Sequence, residues 1–267
     1  MAITDFQAKV ISVIAKNRSE SSYLAGGLVL NADWPRLSDD IDIFQDTDEE
    51  IGETANKDIE TLKSVGFRIS MIVNIYGCVE VEVSKDSEKT VIQWMSEAKD
   101  RFFPLIRDDY FGARMNIADL AINKILAASS RSKARDYVDL VSIEEHLAPL
   151  EVLICAASGK PPHFSPVRIV EEIRRKSLSI PDYEFKAVRG LPEDFNIAQF
   201  REKMIGITDR ALSFVGQIPS NFVGALGVDN QGRPVHSLSE KNITWRVATR
   251  EPDPLPVVAD MSYDWTV

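Results

Sequence analysis

The first part of the chain mixes strand and helix periodicities. Residues 38–44 alternate polar and apolar side chains, which is the pattern of a strand with one buried face. Phe67–Tyr76 and Cys78–Val83 indicate two further strands, and the glycine between them predicts a β-hairpin. Helical spacing predicts the other elements of this part, which are helices at residues 3–17, 46–65 and 87–100, the last alone or with a short strand.

The helical period dominates the second part of the chain. Met115–Ser130 repeats apolar residues every three to four positions, as an amphipathic helix does. From Pro219 onward, glycine, proline and asparagine predict loops, with short strands at residues 223–228 and 242–248. Further helices are expected at 133–146, 149–157, from 165, and at 196–217. We therefore predict an α+β protein with an α/β domain at residues 1–110 and a mainly helical domain with a loop-rich tail at residues 111–267.

Composition narrows the class of protein. The formal net charge of −10 over 267 residues opposes non-specific DNA binding, which needs a basic surface. The two cysteines, Cys78 and Cys155, are far apart, which favours a reducing cytoplasm over a disulfide-stapled secreted fold. No apolar run approaches the about 20 residues that cross a bilayer, so we expect no membrane partner.

The candidate chemistry lies in one stretch of the first part, which reads Gly26-Gly27 and then Arg36-x-Ser38-x-Asp40-Ile41-Asp42. Asp40 and Asp42 are two apart on a predicted strand, so their side chains project from the same face. Parallel carboxylates repel each other unless a cation lies between them, and Mg²⁺ accepts one or two carboxylates plus substrate phosphates. The glycine pair lets the backbone approach a ligand closely and offers N–H groups at a helix start. This layout predicts a site for a nucleoside triphosphate with magnesium.

At these residues the chain resembles the AbiEii-like branch of the polymerase-beta-type nucleotidyltransferase superfamily. Members of the branch typically read Arg-x-Ser-x-Asp-Ile-Asp-Leu-Phe, and this chain differs only by Ile43 in place of leucine. They also carry a lysine on a helix, then an arginine, then Arg-Asp-aromatic-x-Asp-Leu. The matching residues here are Lys124, Arg131 and Arg135-Asp136-Tyr137-Val138-Asp139-Leu140. The resemblance spans residues 20–145, and implies a small nucleotidyltransferase-type mixed sheet with flanking helices before the helical half.

The resemblance also implies roles for individual residues. Asp40, Asp42 and a third carboxylate would hold Mg²⁺, with Mn²⁺ as the alternative metal. The third carboxylate would also activate the attacking hydroxyl. The residues implied at the nucleotide are Gly26, Gly27 and Ser38 around the triphosphate, Arg36 on phosphate or bracing the acidic strand, and Lys124 and Arg135 from the helical half. Asp136 and Asp139 would brace Lys124 or the metal strand.

The third carboxylate has two candidates, Glu80 and Glu82, which share one face of a predicted strand. Glu82 is preferred because the acidic residue of the family usually lies late in its strand. Glu80 remains the alternative candidate for the third carboxylate. Most family members have aspartate here, so glutamate is a departure. Leu28 is another, because many members have serine or threonine beside the glycines.

The activity that the resemblance implies is transfer of a nucleoside monophosphate from an NTP to a hydroxyl, on a tRNA or a protein. It implies a toxin of a toxin–antitoxin or phage-defence pair, with an antitoxin as partner. An RNA acceptor would meet the basic groups of residues 124–135 and Arg174-Arg175-Lys176. Two alternatives stay open. One is a small-molecule nucleotidyltransferase of the aminoglycoside type, which the acidic balance suits. The other is a non-catalytic binding module on the same fold.

Overall fold

The described chain forms two compact units. The structure is a computed structural model that describes residues 3–237, 239–240 and 242–253. Unit 1 contains the residues up to Lys99 together with Leu105–Ile117, and unit 2 contains Asp100–Pro104 together with the residues from Ala118 onward. The chain therefore passes between the units three times. The predicted boundary between residues 110 and 111 falls inside the second segment of unit 1.

Unit 1 is a mixed sheet with helices. Its seven strands lie in the order β3-β4-β5-β2-β1-β7-β6. β2 pairs antiparallel with β1 and parallel with β5, while β3, β4 and β5 form an antiparallel meander. The elements in chain order are α1 (Asp5–Ile14), β1 (Ser22–Ala25), α2 (Gly26–Leu30), β2 (Asp40–Gln45), α3 (Ile51–Ser64), β3 (Arg68–Ile75), β4 (Cys78–Lys85), β5 (Glu88–Ser96), β6 (Ile106–Asp108) and β7 (Gly112–Arg114).

One face of this sheet carries the core of unit 1. α3 packs on this face, where Trp94 Nε1 of β5 donates to Asp58 Oδ2 of α3 at 2.9 Å. Asp58 is fully buried and also ion-pairs with Arg18, so a buried charge on this face is neutralised. The opposite face carries the alternate residues of β2, β4 and β5, which are half-buried. Asp40 and Asp42 lie on that opposite face.

Unit 2 is mainly helical. Its helices are α4 (Ile117–Ser130), α5 (Ala134–His146), α6 (Leu150–Ala157), α7 (Pro166–Ser179), α8 (Asp182–Lys186) and α9 (Ile197–Val215), followed by the hairpin of β8 (Ala225–Val228) and β9 (Thr244–Val247). Ser165 caps α7 by accepting from the Arg168 N–H, with Pro166 at the first helical position, as serine before proline predicts. Phe222 and Trp245 pack with ring centroids 4.3 Å apart and close the core beneath the hairpin.

The short segment Asp100–Pro104 is tied into unit 2 by polar contacts. Asp119 accepts the backbone N–H of Phe102 at 2.9 Å and that of Phe103 at 3.0 Å. Lys160 Nζ lies 3.2 Å from Asp119 Oδ1 and neutralises this buried carboxylate. Arg246 Nε of β9 donates to the Phe102 carbonyl oxygen at 2.6 Å. Residues far apart along the chain thus hold this segment.

The element predictions are confirmed over most of the chain. The α+β class, the strand at residues 38–44, the hairpin of β3 and β4, and the helices of the second part all appear. The helix predicted at residues 87–100 is wrong, because Glu88–Ser96 is strand β5. The sequence analysis did not predict β6 and β7. The last part of the predicted tail, residues 254–267, lies outside the described residues.

No helix in the described ranges combines the length and the apolar composition that a membrane span needs.

Candidate active site

The glycine turn lies directly beside the acidic strand. β1 and β2 are antiparallel neighbours, with Ala25 opposite Asp42, so the chain enters α2 next to the second aspartate. Gly26 has φ +69°, in the left-handed region that glycine adopts without steric cost. A Cβ built on Gly26 would stand 1.9 Å from Asp42 Oδ2. The sequence therefore needs glycine at this position for both backbone conformation and space.

Arg36 and Ser38 support the same turn from the other side. The guanidinium of Arg36 is buried, and its Nη2 lies 2.4 Å from the position that a Cβ on Gly27 would take. Ser38 Oγ lies 3.4 Å from that position and contacts the Asp40 carbonyl oxygen at 3.3 Å. Four of the predicted nucleotide-binding residues, Gly26, Gly27, Arg36 and Ser38, thus come together beside β2. Burial of Arg36 against Gly27 favours the bracing role for its side chain.

The two candidate glutamates lie on β4, two strands away from the aspartates of β2. β5 separates β2 from β4, so that Gln93 stands between Asp42 and Glu80. In the next row, Val91 stands between Asp40 and Glu82. Two strand spacings of about 4.8 Å give a backbone separation of about 10 Å between each aspartate and its glutamate. The sheet thus aligns all four carboxylates on one face and leaves the glutamates at a distance.

Each glutamate already has a polar partner. Glu82 Oε2 lies 2.8 Å from Lys89 Nζ, and Glu80 Oε2 accepts from Gln93 Nε2 at 3.2 Å. Among the side chains that the structure describes, no three His, Cys, Asp or Glu residues form a group that could hold a metal ion. Glu82 is therefore not assembled with Asp40 and Asp42 into a cluster of three ligands, and the metal role of Glu82 stays a prediction.

The downstream motif folds into a buried ion cluster in unit 2. Lys124 Nζ lies 2.9 Å from Asp136 Oδ1 and 3.0 Å from Asp139 Oδ2. Arg131 donates to both carboxylate oxygens of Asp136, from Nε to Oδ2 at 2.7 Å and from Nη2 to Oδ1 at 3.1 Å. Burial raises the pKa of Asp136, but the charge of Lys124 and the hydrogen bonds of Arg131 outweigh it and hold the pKa at about 2. Both aspartates contact Lys124, which is the bracing geometry, while Arg135 is half-buried on α5.

The basic run at residues 174–176 of α7 is paired with carboxylates. Arg174 Nη1 lies 2.5 Å from Asp209 Oδ1. Arg175 and Lys176 contact the same Glu172 carboxylate at 2.6 Å and 3.1 Å. These acids neutralise much of the positive charge that would attract RNA phosphates.

β5 is the site element that sequence reasoning missed. Its Gln93 is the neighbour of Asp42 on the sheet face, and it links that aspartate's row to Glu80. The segment does carry the alternation of a strand with one buried face. Its buried residues alternate with more exposed ones and are Thr90, Ile92 and Trp94.

Comparison with known proteins identifies the fold. No protein-family model matches the sequence, and no curated protein matches it either. Among solved structures, the chain is similar to MenT4, a nucleotidyltransferase toxin of Mycobacterium tuberculosis, with a TM-score of 0.55 and 14% identity over 81% of this chain and 84% of that one. It is also similar to JHP933 of Helicobacter pylori, with a TM-score of 0.52 and 16% identity over 80% of this chain and 95% of that one. The chain therefore shares the fold of these two proteins.

Proposed function

We propose that this protein is a metal-dependent nucleotidyltransferase that moves a nucleoside monophosphate from an NTP to a hydroxyl acceptor. The observation that carries the proposal is the contact between the Gly26 turn and Asp42. It places a backbone that can approach phosphates beside two carboxylates of one strand face. The nucleotidyltransferase fold supports the same conclusion.

The donor set fits magnesium in part. Asp40 and Asp42 are hard oxygen donors on one face of β2, and Mg²⁺ binds through one or two carboxylates with substrate phosphates and water as its other ligands. We propose that these two aspartates hold it, and that Glu82, or else Glu80, makes a smaller contribution from β4, which β5 separates from β2. When bound, Mg²⁺ would neutralise charge on the triphosphate and on the departing pyrophosphate.

The chain's own residues then bind and orient the substrates. In the proposed reaction the acceptor oxygen forms a bond to the α-phosphorus, the bond from that phosphorus to the bridging oxygen breaks, and pyrophosphate leaves. The acceptor proton passes to a nearby carboxylate or to water. Gly26, Gly27 and Ser38 contact the triphosphate, and Arg36 keeps the turn in place. Positioning and charge stabilisation of this kind supply most of the catalysis in phosphoryl-type transfers.

The helical half is proposed to supply a cation to the phosphates. Lys124 is the candidate, with Asp136 and Asp139 keeping its side chain in one orientation. Arg135, on the same motif, is proposed to contact the nucleotide as well. Because two carboxylates contact Lys124, binding of a triphosphate would have to compete with them for the ammonium group.

We also propose an acceptor and a biological role for this activity. We propose a tRNA or a protein hydroxyl as the acceptor, in the reducing cytoplasm. The similar fold of MenT4, which is described as a toxin, supports a toxin role and an antitoxin partner for this chain. The second candidate is transfer to a cationic small molecule. Glu80 and Glu82 favour it, because they make the sheet face beyond the aspartates acidic.

Label transfer tests the proposal. The purified protein is incubated with Mg²⁺, a cell extract and each α-labelled NTP in turn, beside Asp42→Asn. We expect label from one NTP to enter acid-insoluble material and to be lost by at least 10²-fold in the variant, because a carboxylate that acts at the reacting phosphate is removed. Nuclease and protease digestion then assign the label to RNA or to protein.

The other outcomes separate the alternatives. Label that stays soluble and moves onto an added aminoglycoside supports the small-molecule acceptor. A protein that leaves every NTP and every acceptor unchanged, yet binds nucleotide, is the non-catalytic module. Label that enters RNA or protein equally well with Asp42→Asn would contradict the proposed site.

A further inference from the structure

Gln93 stands directly beside Asp42 on the sheet. β5 runs parallel to β2 with Gln93 as the Cα partner of Asp42, so both side chains project from the same face. Adjacent strands are about 4.8 Å apart, which makes the two residues nearest neighbours on that face. On the other side of Asp42 the partner is Ala25 of β1. The carboxylate of Asp42 therefore has an amide beside it on one strand and a methyl group on the other.

The amide of Gln93 makes its contacts with β4. Its Nε2 donates to Glu80 Oε2 at 3.2 Å and lies 3.9 Å from Cys78 Sγ. Gln93 thus separates Asp42 from Glu80 with a group that carries no charge. Two carboxylates kept two strands apart repel each other much less than adjacent ones, so this row of the sheet is stable without a cation in it.

The neighbouring row repeats the arrangement. Val91 is the partner of Asp40 on β5, and Glu82 follows on β4. Glu82 is itself paired with a cation, because Lys89 Nζ lies 2.8 Å from its Oε2. On β5, therefore, both aspartates have uncharged neighbours.

The number of carboxylates in a metal site decides how tightly it binds a cation without substrate. Affinity for a hard divalent cation rises with the charge of its ligands, and Mg²⁺ sites with one or two carboxylates rely on substrate phosphates for the rest. Over the residues whose positions are described, no three His, Cys, Asp or Glu side chains form a ligand group. The nearest position on β5 at which a third carboxylate could join Asp42 is held by Gln93.

We propose that Gln93 limits the metal site to the two aspartates, so that the protein binds a divalent cation tightly only together with a triphosphate. The inference rests on the proposed function, since it takes the site at Asp40 and Asp42 as given. Gln93 sets the composition of that site and is not a catalytic residue. The cation and the triphosphate then bind cooperatively, and each raises the affinity of the protein for the other by the same factor.

Binding of Mn²⁺ alone tests the role of Gln93. Mn²⁺ takes the same oxygen ligands as Mg²⁺, and electron paramagnetic resonance measures its binding to the full chain without nucleotide. We expect the wild type to bind Mn²⁺ with a dissociation constant weaker than about 1 mM. Gln93→Glu should bind it at least about ten-fold more tightly, because a third carboxylate then stands beside Asp42. Adding Asp42→Asn to that variant should remove the gain.

The matched control is Gln217→Glu. Gln217 is an exposed glutamine just after α9 in unit 2, where its Nε2 donates to Ser213 Oγ at 3.1 Å. The substitution makes the same change of charge outside the site and should leave Mn²⁺ binding unchanged. Thermal melts followed by circular dichroism check that the variants fold. Gln93→Asp, which brings a carboxylate to the same position on a shorter side chain, replaces Gln93→Glu if that variant does not fold.

Equilibrium dialysis tests the cooperativity with triphosphate. Labelled α,β-methylene analogues of the four NTPs, which cannot release pyrophosphate, are added in turn to the wild type with Mn²⁺ or with EDTA. We expect at least one analogue to bind about ten-fold or more tightly with Mn²⁺, because the cation and the phosphates complete one site.

The results that would overturn the inference also separate it from the proposed function. A wild type that binds Mn²⁺ alone more tightly than the expected limit, through a site that Asp42→Asn abolishes, would refute the inference and leave the proposed function in place. A folded Gln93→Glu or Gln93→Asp that binds Mn²⁺ no better than the wild type would do the same. A protein that binds none of the four analogues, with or without Mn²⁺, would contradict both.

Discussion

The carboxylate of Asp42 occupies the space that a side chain on Gly26 would fill, with Oδ2 1.9 Å from the ideal Cβ position. The two residues are 16 positions apart in sequence and meet because β1 and β2 are antiparallel neighbours. The glycine turn and the acidic strand therefore act as one unit. A side chain added at Gly26 would displace the Asp42 carboxylate.

The first prediction concerns this contact. Gly26→Ala should lower nucleotide transfer by about 10²-fold, because the new methyl group displaces the Asp42 carboxylate and small misplacements at a reacting centre have effects of this size. It should also lower the free energy of unfolding by about 1–2 kcal/mol, because φ is positive at this residue. Transfer kinetics and urea denaturation measure the two effects.

Gly52→Ala is the matched control. Gly52 lies within α3, and a Cβ there would have no atom within 4 Å. The same substitution should raise the free energy of unfolding by about 0.5–1 kcal/mol and leave transfer unchanged. Equal activity of the two variants would show that the turn does not act on Asp42.

The second prediction concerns the acid sensitivity of the Lys124 cluster. The pKa of Asp136 is about 2 in the folded protein, below its ordinary value of 3.8, so the folded state favours the carboxylate. This stabilisation, about 2 kcal/mol, is complete above about pH 4 and is lost as pH falls towards 2. Urea denaturation between pH 2.5 and pH 6 should show the free energy of unfolding decreasing over that acid range.

Asp136→Asn should lower the free energy of unfolding at pH 6 by about 3 kcal/mol, since it removes one partner from a buried ion cluster. It should also flatten the acid dependence. Asp209→Asn is the control, because Asp209 is exposed and pairs with Arg174 at the surface, and we expect less than about 1 kcal/mol. A variant at Asp136 that is as stable as this control would contradict the account.

The third prediction compares carboxylates on the open sheet face. Glu80→Gln and Glu82→Gln should each lower transfer by less than about ten-fold, whereas Asp42→Asn lowers it by more than about 10²-fold. The reason is the strand β5, which stands between the glutamates and the aspartates. Single-turnover rates with the labelled NTP measure all three. A glutamate variant as inactive as Asp42→Asn would identify the third carboxylate, and would show that β4 moves towards β2 on substrate binding.

The fourth prediction concerns the two thiols. Cys78 on β4 is partly exposed, whereas Cys155 on α6 is 1% exposed. Burial, with a smaller effect from the charge of Glu151, raises the pKa of Cys155 to about 12. Dithionitrobenzoate should therefore titrate one thiol rapidly at pH 8 in the folded protein and two in denaturant. Cys78→Ser should remove the rapid reaction, and a second rapid thiol in the native protein would show that α6 opens.

The sequence predicted the local structure around the candidate site residues of unit 1 better than the arrangement of the strands that carry them. The alternation at residues 38–44 is a local property of a half-buried strand, so β2 and the shared face of Asp40 and Asp42 could be inferred directly. Pairing between strands is not local. No pattern in residues 80–82 revealed that β5 would be inserted between them and β2.

In unit 2, too, contacts between elements could not be predicted from the sequence pattern. Spacing on a helix allowed Asp136 and Asp139 to be placed on one face of α5 with their charges available for pairing. Their contact with Lys124 depends on how α4 and α5 pack, and the family resemblance, not the spacing, pointed to it. The pairing of Arg174 with Asp209 of α9 could not be inferred from the basic run alone.

The segment Asp100–Pro104 has a consequence for the order of events during synthesis. The sheet of unit 1 can be completed once Arg114 has left the ribosome, and N-terminal units generally fold first as the chain emerges. At that moment the partners that hold Phe102, at Asp119, Lys160 and Arg246, have not emerged from the ribosome. Nascent chains should therefore carry this segment as a protease-sensitive loop until β9 has emerged, so that the segment is held later than the sheet of unit 1 is formed.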